Sequence, residues 1–263
     1  MADILKLIIM KSFFAELKKR NAILYYFGWL MFTGFFISFI ISFFDKTIIL
    51  GINAWIKPMK FYVSIGIVAW TISWLAYYLD KQKKVLVYSW VVVITMMIEM
   101  IIISFQSARG QQSHFNVSTP FNGILFSIMG ASITIFTLWT AYICILFFLQ
   151  KEFTISKTYL LSIKLGLIIF ILFALEGWVM VGNLGHTVGG RDGSPGLPFM
   201  NWSKNYGDLR VSHFFGMHSF QILPFVGYYF ARKNIQVILF AIIYFLFVTI
   251  LLAEAIYGLP FIQ

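Results

Sequence analysis

Seven long apolar runs, separated by short polar segments, dominate the hydrophobic pattern of the chain. Each run reaches the ~20 residues that an α-helix needs to cross a bilayer. The predicted spans cover residues 22–44, 61–80, 85–107, 121–149, 156–182, 209–230 and 235–258. The second span starts nearer Trp55 if Lys57-Pro58 lies in the first helical turn, where proline is tolerated. The pattern predicts an all-α, polytopic membrane helix bundle with seven transmembrane helices.

The first twenty residues have a different pattern. Their apolar side chains recur at helical spacing on one face, with lysines opposite, which is typical of a helix lying in the membrane interface. We expect an interfacial amphipathic helix over residues 1–20, followed by a transmembrane domain over 21–263. No small-residue cleavage site follows a short apolar core, so we predict no removable signal peptide.

The loop charges predict the orientation. With the N-terminus inside, the inner segments carry twelve Lys and Arg and the outer segments carry seven, as the positive-inside rule requires. The C-terminus then lies outside, and so do two long loops, 108–120 and 183–208. Loops of that length in a compact protein are commonly functional. We expect a multi-pass protein of the bacterial inner membrane.

Composition excludes a soluble domain and gives no reason to expect nucleic acid. The chain is 60% hydrophobic and only 11% charged, against about 25% charged residues in soluble domains. Its net charge of +10 comes from basic residues spread over short loops, so the lipid bilayer is the expected partner. The single cysteine, Cys144, excludes an intramolecular disulfide. Nothing in the pattern predicts an oligomeric state.

Apart from Lys164, which can snorkel to the headgroups, and residues at the span ends, five ionisable residues fall inside the predicted spans, where they are costly and therefore mark function by default. They are Glu99, Glu176, His213, His218 and Glu254. Helical rise places them in the outer half of the membrane, facing the bundle interior. We predict catalytic roles for the three glutamates and metal ligation for the two histidines. Because those histidines are five residues apart, about 140° around a helix, they should address different neighbours.

A second set of polar residues lies mainly on the long outer loops. Its arginines run against the orientation rule, which favours a bound anion or lipid headgroup on the outer side; pairing with Asp192 and Asp208 is the alternative. Asp208 is also expected to cap the sixth helix. The predicted ligand-binding residues are Arg109, His114, Asn116, His186, Arg191, Asp192, Arg210 and Gln221.

Two stretches carry a resemblance. Residues 106–122 (QSARGQQSHFNVSTPFN) and 192–221 (DGSPGLPFMNWSKNYGDLRVSHFFGMHSFQ), together with Trp55-Ile-Lys-Pro, resemble a family of bacterial seven-helix integral membrane proteins with no assigned activity. The likeness runs over most of the chain. It implies an architecture and no reaction.

The polar residues leave three hypotheses open. The first is a membrane metalloprotein, an enzyme with an outward-opening pocket that acts on a lipophilic or lipid-like substrate and holds iron, zinc or copper. The second is a haem-binding electron-transfer protein, with a histidine or methionine as the iron ligand. The third is a proton-coupled transporter or a ligand-binding receptor, in which the buried carboxylates are proton or ligand sites.

Overall fold

The computed structural model describes residues 12–262, and this part of the chain is predominantly helical. The all-α prediction is therefore confirmed. The long helices are α1 (Ala22–Phe44), α2 (Ile56–Leu75), α3 (Gln82–Ala108), α4 (Pro120–Leu149), α5 (Lys157–Leu175), α7 (Leu209–Tyr229) and α8 (Asn234–Ile256), and the short α6 (Gly177–Asn183) follows α5 directly. Two small antiparallel ladders lie in connections: β1 (Ile48–Ile49) with β2 (Ile52–Asn53), and β3 (Thr187–Val188) with β4 (Gly207–Asp208).

In the described part of the chain, six helical stretches are long and apolar enough to cross a membrane, which indicates a multi-pass membrane protein. They are Ala22–Phe44, Ile56–Tyr78, Gln82–Ala108, Pro120–Leu149, Lys157–Asn183 and Asn234–Ile256. α1 and α8 keep most of their apolar side chains exposed on the outside of the bundle. Such surfaces are stable only where lipid replaces water.

The predicted interfacial helix falls partly outside the described residues, which begin at Ser12. Residues 12–20 are helical. Leu17 is fully buried, and the rings of Phe13 and Phe14 pack against Trp74 and Trp70 of α2. This segment therefore packs against the bundle.

α7 differs from the other long helices because it carries Arg210, His213 and His218. It lies against α5 and α8, and its contact with α5 is the most extensive between any two helices. Glycines permit this approach: a Cβ on Gly216 would lie 2.2 Å from the Cβ of Phe173. Small residues allow membrane helices to pack this closely.

Helix boundaries follow the sequence with two differences. Asp208 caps α7 as predicted, with its side chain accepting a hydrogen bond from the backbone N–H of Arg210. α2 begins at Ile56, so its first turn contains Lys57-Pro58. The predicted fifth span, 156–182, is interrupted at Glu176, where α5 ends and α6 begins.

Residues 184–208, which join α6 to α7, form an ordered segment. β3 and β4 bring Thr187 beside Asp208. The amide of Asn201 donates to the backbone oxygen of Leu50 at 3.0 Å. Trp202 is buried against Phe214 of α7 and Phe261. The segment is thereby fixed over the beginning of α7.

Candidate functional site

Ionisable side chains from several parts of the chain gather at the end of the bundle where α2 and α7 begin. We call this group the polar cluster. Hydrogen bonds and mutual electrostatic interactions connect its members. They are Lys57, Lys60, Glu99, His114, Glu176, His186, Asp192, Asp208, Arg210 and His213.

Glu176 and His213 form a carboxylate–histidine pair between α5 and α7. Glu176 is buried at the break between α5 and α6, and its Oε2 lies 3.1 Å from Nδ1 of His213. The hydroxyl of Ser212 lies 3.2 Å from Oε1 of the same carboxylate. His213 is partly exposed. If the carboxylate is ionised it can only accept, so the proton lies on Nδ1 and leaves the lone pair of Nε2 for other groups.

A second carboxylate–histidine pair lies in segment 184–208. Nδ1 of His186 is 2.8 Å from Oδ2 of Asp192, and the backbone N–H groups of His186 and Thr187 donate to the same carboxylate. Burial, together with the nearby charges of Arg210 and Lys57, lowers the pKa of His186 to about 4 although Asp192 opposes the shift. Burial tends to raise the pKa of Asp192, but the hydrogen bonds from His186 and Thr187 outweigh it and hold that pKa far below its usual range.

His114 has the opposite tautomer. Its Nδ1 lies 3.2 Å from the ammonium nitrogen of Lys57 and 3.1 Å from the hydroxyl of Ser113. An ammonium group can only donate, so Nδ1 accepts and the proton lies on Nε2. Burial, and then the positive charge of Lys57, keeps the pKa of His114 well below its usual range. His114 is therefore a neutral hydrogen-bond donor through Nε2.

Glu99 is buried in α3, with only 5% of its surface exposed. Among the residues that the structure describes, its carboxyl group forms no hydrogen bond or ion pair, and Lys57 is the charge that acts on it. Its oxygens are nevertheless not fully enclosed by protein atoms. A buried carboxyl group without a protein partner is available to a ligand, water or a proton.

Asp208 and Arg210 stabilise the beginning of α7 and the segment that precedes it. The carboxylate of Asp208 accepts from the backbone of Ser203 and Arg210 and from the Arg210 guanidinium at 2.8 Å. The guanidinium also donates to the backbone oxygen of Asn201. This pairing is the alternative that the sequence left open for Arg210, and it occupies most of that side chain's donors.

The remaining predicted site residues make contacts outside this network. Nδ1 of His218 bonds the backbone oxygen of Phe214 at 2.8 Å, its ring lies on the Phe214 ring, and Gln221 donates to Thr71. Glu254 lies on α8, beside a shallow cavity that it shares with Asp208. Among residues 12–262, His213 and His218 share no hydrogen-bond partner: His213 contacts Glu176 and His218 contacts the backbone of Phe214.

Two loop residues predicted to bind ligand have local roles, and a third lies at the surface. Arg109 bonds Gln106 and Asn122 and lies over the rings of Phe105 and Phe121. Asn116 holds the turn before α4 by accepting from Ser118 and donating to the backbone of Gln112. Arg191 is exposed.

Sequence reasoning missed three members of the site. The sequence pattern indicates no binding role for Lys57 and Lys60, which are part of the basic charge on the outer side, and it gives no sign of Ser212. The lysines have a detectable signal, because two cations in the first turns of a helix oppose its dipole. Ser212 has none, because its role depends on the break at Glu176.

The described residues supply only part of the donor set that a metal site requires. Within residues 12–262, no three His, Cys, Asp or Glu side chains converge closely enough to hold a metal ion. His186 and His213 nevertheless each have Nδ1 on a carboxylate, the usual arrangement of metal-ligating histidines. In comparisons with known proteins, the chain matches no protein-family model, no curated protein and no solved structure.

Proposed function

We propose that the chain is an integral membrane enzyme that performs acid–base chemistry on a lipophilic, lipid-like substrate at the polar cluster. The Glu176–His213 pair carries this proposal. A buried carboxylate orients the imidazole and stabilises the imidazolium that forms when Nε2 takes a proton, as in other carboxylate–histidine pairs that act as bases. The structural alternative, an ion pair that only joins α5 to α7, does not explain why His213 stays partly exposed.

Glu99 is the proposed second proton-transfer group. It is buried and without a hydrogen-bond partner among the described residues, and it lies on a different helix from His213. An imidazole and a carboxyl group that face the same substrate can act as its base and its acid. Glu254, the third predicted catalytic carboxylate, lies beside Asp208, and we give it no role in this step.

The same proposal includes seven spans, with the N-terminus in the cytoplasm of a bacterium and the polar cluster and C-terminus outside the inner membrane. α7 has 21 residues, which extend about 31 Å at 1.5 Å per residue, enough for the hydrocarbon core. The loop charges support the orientation. A substrate with an apolar tail would enter from the outer leaflet.

A metal-dependent version is the second candidate. It is favoured by the two histidines whose Nδ1 atoms lie on carboxylates, His186 and His213. We assign the ligand role to these two in place of the predicted pair His213 and His218. Iron, zinc and copper all accept imidazole nitrogen. A stoichiometric metal that is lost in His213→Ala and retained in His218→Ala would support this version; no metal in protein never exposed to chelator would leave the acid–base version.

The activity test compares lipids. Cells expressing the wild-type chain, Glu176→Gln or His213→Gln would be extracted and their lipids resolved by mass spectrometry. We expect a lipid species that changes only with the wild type, with the conversion reduced at least 100-fold in both variants. His218→Gln is the matched control and should retain activity. Identical lipid profiles for wild type and variants at equal protein levels would overturn the proposal.

A further inference from the structure

The beginning of α2 carries two lysines that the helix itself disfavours. Lys57 and Lys60 lie in the first two turns, three residues apart and hence on one face, and no acidic residue precedes them in the first turn. The N-terminal end of a helix is the positive end of its dipole, where cations are unfavourable and anions favourable. The free backbone N–H groups of a first turn also bind anions.

No carboxylate within residues 12–262 neutralises either lysine. Neither forms an ion pair within 4.0 Å, although Glu99 and Asp192 act on Lys57 and Asp208 acts on Lys60 from farther away. Their described hydrogen bonds go to His114 and to the backbone oxygen of Met200. Each ammonium group has three donors, so each keeps donors for another partner.

The surroundings add positive charge. Arg210 acts on both lysines, and Lys60 acts on Lys57. His114 accepts from Lys57 through Nδ1 and takes up only one of its donors, and its own Nε2–H points away from that ammonium group. Both lysines are half-buried, so water screens their repulsion less than at an open surface. An anion bound beside the two lysines would offset this repulsion.

We propose that Lys57 and Lys60 form a subsite for a phosphate group, carried by a lipid headgroup or free in solution. This inference rests on the proposed function, because it assigns the charged part of the substrate to the cluster that contains Glu176 and His213. Lys60 also donates to Met200 in segment 184–208. A phosphate bound to Lys60 therefore lies next to the hydrogen bond that joins segment 184–208 to α2.

The test uses the full chain in detergent and three probes: short-chain phosphatidylglycerol, inorganic phosphate, and diacylglycerol with the same chains. Ligand affinity is obtained from the rise in thermal midpoint. We expect phosphatidylglycerol to stabilise the wild type and diacylglycerol to stabilise it far less. The double variant Lys57→Met/Lys60→Met should bind phosphatidylglycerol at least tenfold more weakly. Stabilisation by inorganic phosphate as well would identify free phosphate as a sufficient ligand; its absence would identify the lipid headgroup.

The matched control is Lys204→Met, which removes an exposed lysine from segment 184–208 and should bind within twofold of the wild type. If the double variant does not fold, Lys60→Met with Lys60→Arg as its charge-preserving partner carries the test. Equal stabilisation by diacylglycerol, or unchanged binding in the lysine variants, would overturn the subsite. Glu176→Gln should bind as tightly as the wild type, because it leaves both lysines in place. Binding by the wild type with no lipid conversion would refute the enzyme proposal and leave the subsite intact.

Discussion

The cations at the two ends of α2 differ in how many of their donors bond to protein atoms. Near its C-terminal end, Arg20 bonds Glu16 at 2.9 Å, the backbone oxygen of Trp74 at 3.1 Å and the hydroxyl of Tyr78 at 3.0 Å, and lies over the Trp74 ring. At the N-terminal end, Lys57 and Lys60 have no such set of partners. A cation whose N–H donors all bond to protein atoms stabilises the fold. A cation that keeps free donors at the positive end of a helix dipole is instead available to a ligand.

The sharpest test of this comparison is Arg20→Met. Removing a guanidinium that fills three partners leaves the Trp74 oxygen without this donor and Glu16 with only the exposed Lys19, so we expect the free energy of unfolding to fall by about 3 kcal/mol. Detergent-titrated unfolding followed by tryptophan fluorescence measures it. The control is Lys19→Met, because Lys19 is exposed and only 4.0 Å from the same carboxylate; it should change stability by under ~1 kcal/mol. Equal losses of unfolding free energy in the two variants would show that Arg20 contributes no more to stability than the exposed Lys19 does.

The polar cluster should be sensitive to acid. The pKa of His186 is lowered in the folded state to about 4, below the value of about 6.5 in an unfolded chain. The unfolded state therefore binds more protons between those values, and stability falls as pH drops from 6.5 to 4, by at most roughly 3 kcal/mol from this group. His114 acts in the same direction, and Asp192 adds a loss only at still lower pH.

His186→Gln isolates this contribution, because glutamine can donate to Asp192 but does not titrate. Thermal midpoints of both proteins at pH 4, 5, 6.5 and 8 should show a shallower acid slope in the variant. Parallel slopes would mean that His186 is not buried as a neutral group.

The close packing of α7 against α5, beneath the polar cluster, predicts the next largest loss of stability. In Gly216→Ala the new methyl group meets Phe173 at 2.2 Å, so α7 must move away from α5, at a cost of about 2 kcal/mol. The same movement separates His213 from Glu176 and should reduce lipid conversion. Gly130→Ala on α4 is the control, since its Cβ meets no atom within 4 Å. A fully active, stable Gly216→Ala would contradict this packing argument.

Lys60→Met should have the smallest effect on the ligand-free protein. It removes one hydrogen bond to Met200 and also relieves repulsion from Arg210 and the helix dipole, so the net change in unfolding free energy should lie within ~1 kcal/mol of zero. Detergent-titrated unfolding without added lipid measures it. A loss as large as that of Arg20→Met would show that Lys60 is a structural cation.

Sequence periodicity predicted the helices because lipid-exposed faces must be apolar, and α1 and α8 show this most clearly. It also found Asp208 as a helix cap, because capping is a local interaction. It could not find the break at Glu176 or the meeting of Glu176, Ser212 and His213, because both depend on the close packing of α5 against α7. His218 and Gln221 looked equally functional by position, and only their contacts separate them from the cluster.

The most direct test of the account is an experimental structure of the wild-type chain, with a bound antibody fragment, in nanodiscs that contain phosphatidylglycerol. We predict phosphate density within hydrogen-bond distance of Lys57 and Lys60, with His213 still on Glu176 and facing the same ligand. Lysine ammonium groups paired with protein carboxylates, with His213 turned away from Glu176 and no density beside the lysines, would contradict it.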